Sequence, residues 1–125
     1  MSLSGKQGNS KEKIAVCSFR KRVCPRFDLT HEMLIFEGEP AHNEHIEEVD
    51  VSHFPPEKIL NMLLEREVKV IICGGIQGRF QEMFRQNDID VIWGVVGEVD
   101  DVMRAYAKGA LHPGFGPLSM PKGPG

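Results

Sequence analysis

The stretch Val68-Lys-Val-Ile-Ile-Cys-Gly-Gly-Ile-Gln-Gly78 decides how the rest of the chain is read. Val70, Ile71 and Ile72 form a short apolar run rich in β-branched residues, the pattern of a buried parallel strand. Cys73 closes the run and Gly74-Gly75 follows, which allows a tight turn and close approach to the backbone. Beyond it, Ile76, Phe80, Met83 and Phe84 recur at helical spacing. A helix starting there would offer free N–H groups and the positive end of its dipole to an anion. The plainer alternative is a compact turn with Cys73 as a small apolar core residue.

Working outward, the segments before this strand read as three further strands and a helix. Ile14 to Ser18 is the first strand. Phe19 to Phe27 reads as a loop with four cations, Arg20, Lys21, Arg22 and Arg26, in which Pro25 opposes regular pairing. Strands near 31–37 and 44–51 flank a turn with Gly38 and Pro40, too close for a crossover helix, so they form an antiparallel hairpin. A helix starts at Pro55-Pro56 with Ile59, Leu60, Leu63 and Leu64 on one face. After the central strand, expected over 68–73, come a helix, a strand over 89–93 closed by Gly94, and a last helix carrying Val99, Val102, Met103 and Tyr106. Glu98, Asp100 and Asp101 favour its first turn, and Gly109 its C-terminal end. The alternation of strands and helices in the second half implies a mostly parallel sheet. Ligands in such sheets sit at the carboxyl ends of the strands. Here these are the loops Ser18 to Phe27, Cys73 to Ile76 and Gly94 to Gly97.

The bulk properties exclude several classes. A chain of 125 residues, 41% hydrophobic, suits one domain with a real core. A net charge of −3 gives no general pull towards nucleic acid or acidic membranes. No 18-residue apolar run spans a membrane. Cys17, Cys24 and Cys73 are odd in number and lack framework spacing, which favours a reducing cytoplasm over a disulfide scaffold. Residues 1–12 read as a disordered leader, 13–111 as the domain, and 112–125, rich in Pro and Gly, as a flexible tail.

Ile14-Ala-Val-Cys-Ser18, Cys24-Pro-Arg-Phe-Asp28, Met33-Leu-Ile-Phe-Glu37, Val70-Ile-Ile-Cys-Gly-Gly-Ile76, Gly94 and Ala105-Tyr-Ala-Lys-Gly109 together resemble the dinitrogenase iron-molybdenum cofactor biosynthesis family. The resemblance runs from about Lys13 to Leu111. It implies an α/β fold of three layers, α/β/α, with a five-stranded mixed sheet like that of ribonuclease H and strand two antiparallel. It also implies a non-catalytic binding or carrier protein for an iron-molybdenum, iron-sulfur or molybdenum-copper cluster, or a precursor of one. Its partners would be cluster donor and acceptor proteins. Many members have a histidine, in His-Phe-Gly, where this chain has Arg26. A charged arginine does not ligate a metal, but it pairs with an anionic cluster such as a thiomolybdate.

The expected site is one shallow cleft bearing Cys24, Arg26, Cys73, Gly74, Gly75 and Gly94. Cys24 and Cys73 are its candidate soft metal ligands, and Gly75 is the position where a side chain would block backbone approach. His42 and His45, three apart on a hairpin, and His53, ahead of a helix, are secondary candidates. Two other functional classes are compatible with the chain's length and fold class. A ribonuclease H-like nuclease needs carboxylates around two metal ions, and Ile14 to Ser18 carries none. A thiol-based redox or sensing protein would use Cys73 near a helix start, but no second cysteine is spaced to resolve it.

Overall fold

The chain folds, in a computed structural model that describes residues 12–39 and 42–116, around a mixed sheet of six strands. The strands are β1 Glu12–Phe19, β2 Arg22–Val23, β3 Glu32–Glu39, β4 His42–Asp50, β5 Val70–Ile72 and β6 Asp90–Ile92. The helices are α1 Pro56–Glu65, α2 Gly78–Gln86 and α3 Val99–Ala107. Strand order is β4-β3-β1-β5-β6, with β2 paired to the end of β1. β3 runs antiparallel to both β1 and β4, and β5 and β6 run parallel to β1. This is the expected three-layer architecture with the second long strand antiparallel.

The side-chain alternation of β1 explains the layers. Ile14, Ala15, Val16 and Cys17 are all fully buried, so both faces of this strand are covered. Ala15 and Cys17 join a core with Met33, Ile35 and Ile71, sealed by Ile59, Met62 and Leu63 of α1 and Phe84 of α2. Ile14 and Val16 join a second core with Phe36, Val70 and Ile72, sealed by Val99, Val102 and Met103 of α3. The apolar spacing seen in the sequence therefore sends two helices to one face and one to the other.

Helix ends follow the local chemistry. Pro55 caps α1 in extended conformation and Pro56 opens it, where the missing N–H costs nothing. α3 begins with Asp100 and Asp101 in its first turn. It ends with Gly109 at φ +73°, whose N–H donates to Tyr106 O, while Ala110 N–H donates to Ala105 O. These two bonds form the Schellman closure that a glycine after the helix permits.

Two details depart from the sequence reading. The first is β2, inside the segment read as irregular. Arg20 and Lys21 take left-handed backbone angles, φ +54° and +69°, and fold Arg22–Val23 back onto Ser18–Phe19. Such a two-residue turn normally shows Asn or Gly, so Arg-Lys gave no signal. Pro25 lies beyond the paired residues and does not interfere with them.

The second concerns the tail. Residues 1–11 and 117–125 lie outside the described residues, so the expectations for them stay as stated. Residues 112–116 are packed. Gly114 N–H donates to Trp93 O at 2.8 Å, Val96 N–H donates to Phe115 O at 2.8 Å, and Leu111 and Phe115 rest on the second core. The apolar Phe115 gives this stretch a surface to bury, which its Pro/Gly content had masked.

A chain ending at Leu111 should therefore be less stable than one ending at Gly116 by about 1–3 kcal/mol, two backbone bonds and one half-buried ring. Urea unfolding of the two truncations checks this. Equal midpoints would mean that the 112–116 contacts carry no stability.

Candidate functional site

Gly74, at the exit of β5, is the position where two chain segments touch. A Cβ built on it would overlap the backbone carbonyls of Cys24 and Pro25. Only glycine lets the segment after β2 lie this close. Once there, that segment pairs with Gly75 as a short parallel bridge: Gly75 N–H donates to Pro25 O and Phe27 N–H donates to Gly75 O, each at 2.7 Å. From the other side, Gly94 N–H donates to Gly74 O at 2.9 Å, and Val95 N–H to Cys73 O at 3.1 Å. Gly94 has φ +69°, a left-handed conformation that glycine takes without strain. The loops after β2, β5 and β6 thus meet at the carboxyl end of the sheet, and all six expected site residues meet there.

Their roles differ from one another. Arg26 lies on the surface at the bridge. Its carbonyl accepts from Cys24 Sγ at 3.3 Å and from Leu29 N–H at 3.1 Å, which fixes the backbone beneath it. A single 3-10 turn, Phe27–Leu29, follows and brings Asp28 round to the guanidinium. Nε donates to Asp28 Oδ1 at 3.2 Å and Nη2 to Oδ2 at 2.9 Å, a bidentate pair in the open. Phe27 is the anchor. It is buried, with its ring 5.8 Å from Phe80 and 5.7 Å from Phe84, so the Arg26 segment is tied to α2.

The two candidate sulfur ligands lie under this surface. Cys24 is 3% exposed and Cys73 not at all. The hydrogen bond with Cys73, and then burial, push the Cys17 thiol well above its usual range and keep it protonated. Cys17, Cys24 and Cys73 all belong to the core facing α1 and α2. Among the described residues, no group of three or more His, Cys, Asp and Glu side chains could hold a metal ion. His42 and His45 lie on β4, the far edge of the sheet, where the His45 ring packs on Phe36. His53 is exposed in the turn after β4.

The anion-binding features also fall differently from the sequence reading. The Gly75 amide is occupied by Pro25, and within the protein a Cβ at Gly75 would meet Pro25 O at 3.5 Å, an ordinary contact. The close approach belongs to Gly74. The helix starts three residues later, at Gly78, after Gln77, which makes no side-chain cap. Phe80 and Gln81 N–H both donate to Gln77 O, which leaves the N–H groups of Gly78 and Arg79 without acceptors inside the helix. Arg79 adds a cation in that first turn, its guanidinium over the Phe80 ring at 4.8 Å. The sequence reading passed over Arg79, although its place one residue into the helix after the glycine pair marked it. A separate hollow of about 480 Å³ lies between the ends of β1, β3 and β4. Its wall carries Glu32, Glu48 and Asp50 together with Arg20 and His31, so carboxylates outnumber the arginine there and disfavour an anion.

The two glycines separate in a simple test. Gly74→Ala should lower stability by several kcal/mol, roughly 2–4, because backbone must shift. Gly75→Ala should change it by less than about 1 kcal/mol. Thermal unfolding of both variants decides it, and equal effects would show that the close approach at Gly74 is not what holds the loops together.

A family profile described as dinitrogenase iron-molybdenum cofactor matches residues 11–109. No match was found among curated proteins. Among solved structures, the crystal structure of PH0822 superposes with a TM-score of 0.73 at 23% identity, covering 81% of this chain and 93% of that one. A protein of Methanococcus jannaschii solved by NMR gives 0.65 at 17% identity, over 82% of this chain and 92% of its own. The apo form of the orange protein from Desulfovibrio gigas gives 0.63 at 17% identity, over 80% and 90%. These structures share the fold, and the profile covers nearly every described residue. The chain belongs to the dinitrogenase iron-molybdenum cofactor family.

Proposed function

We propose that this protein binds and carries an anionic metal–sulfur cluster, or a precursor of one, of the iron-molybdenum kind or a related kind, and catalyses no reaction of its own. The observation that carries this reading is the pairing of Pro25–Phe27 with Gly75. It sets Arg26 beside the loop that leads into the uncapped start of α2. A cluster with terminal sulfides or oxides is a polyanion. It needs charge neutralisation and N–H donors, which Arg26, Arg79 and the first turn of α2 supply.

Arginine at the position where many relatives have histidine fits the same reading. The cargo is gripped by charge and hydrogen bonds in place of an imidazole–metal bond. Cys24, two residues before Arg26, is the sulfur nearest this surface. Cys73 serves as packing beneath it. A carrier gains from such a grip, because several strong ligands would slow transfer from a donor protein to an acceptor. We place this exchange in the cytoplasm, in keeping with three free cysteines. The alternative, a redox sensor built on Cys73, needs an accessible thiolate. The full burial of that thiol speaks against it.

Tetrathiomolybdate is a usable probe, since its visible absorption reports binding. Arg26→Ala should weaken uptake about tenfold or more, and the parent's affinity should fall with added salt. Arg79→Ala should act in the same direction, more weakly. Unchanged affinity in both variants, with the fold intact, would place the cargo elsewhere.

A further inference from the structure

The Arg26 guanidinium is not waiting free for an anion. Asp28 already takes its Nε–Nη2 edge with both carboxylate oxygens, at 3.2 and 2.9 Å. The pair is assembled by the backbone. The Arg26 carbonyl is pinned from below, and the 3-10 turn returns Asp28 to the same side. An incoming anion therefore meets a neutral ion pair, with only the outer edge of the guanidinium open. To use the full fork it must displace Asp28. That is feasible because the pair is exposed, with 62% of the Arg26 side chain and 42% of the Asp28 side chain accessible, and exposed pairs hold weakly.

We infer that Asp28 is a built-in competitor for Arg26, closing on the guanidinium when the site is empty and giving way when an anionic cluster is bound. The inference rests on the cargo reading above and adds its regulation. Asp28 lowers the affinity for the cargo and, by reclaiming Arg26, hastens its departure. The competition is internal, so it acts at any protein concentration. Its strength is set by the geometry of one turn, which the buried Phe27 holds in place.

The test uses the full chain and tetrathiomolybdate. Asp28→Asn keeps the size of the side chain and removes its charge. It should bind about three- to fivefold more tightly than the parent, chiefly through slower release. Asp28→Glu retains the carboxylate and should stay close to the parent. The deciding arm is the double variant, in which Arg26→Ala should erase the gain from Asp28→Asn. A gain that persists there would be general removal of a negative charge, and it would overturn the inference. So would an Asp28→Asn variant with parental affinity, while Arg26→Ala still weakens uptake. If Arg26→Ala itself changes nothing, the cargo reading fails first and the inference falls with it.

Discussion

Everything at the carboxyl end of the sheet depends on the contact between Gly74 and the carbonyls of Cys24 and Pro25. That contact brings the exit of β5 against the segment leaving β2, with no side chain between them. The bridge at Gly75 and the placement of Phe27 under α2 follow from it. So does the position of Arg26. A single methyl group at Gly74 would push these elements apart, and Arg26 would no longer be held beside Gly75.

The site that results holds its charge on the outside and its sulfur on the inside. Arg26 and Arg79 face solvent, and the three thiols face the core. The hydrogen bond with Cys73, and then burial, keep Cys17 protonated, so it has the chemistry of a small apolar residue. A surface of this kind binds through electrostatics and directed N–H groups, both of which weaken in salt and reverse quickly. On the competitor role we infer for it, Asp28 would add to that reversibility. A protein meant to pass its cargo on is served by such an arrangement, whereas a protein meant to keep it would bring several ligands to the metal.

Much of this was legible in the sequence. The β-branched run before Gly74-Gly75 marked the central strand, the short link at Gly38 marked the antiparallel hairpin, and Gly109 marked the end of α3. The loops that meet at the candidate site were legible because parallel strands place ligands at their carboxyl ends. Three things were not legible. The β1–β2 turn uses Arg20 and Lys21 in left-handed conformations, so no turn residue announced it. Which glycine of the pair was sterically required could not be read, because that depends on a segment some fifty residues away in the chain. The accessibility of Cys24 and Cys73 was likewise a matter of packing, since a cysteine at the end of a strand can face either way.

The most direct test of the account is a map of where an anionic metal–sulfide meets the protein. Backbone amide NMR spectra recorded during titration with tetrathiomolybdate would provide it. The account expects the largest shifts at residues 25–28 and 75–79, with little change along β3 and β4. Shifts centred on His42, His45 and the β3–β4 edge, or on the acidic hollow around Asp50, would contradict it.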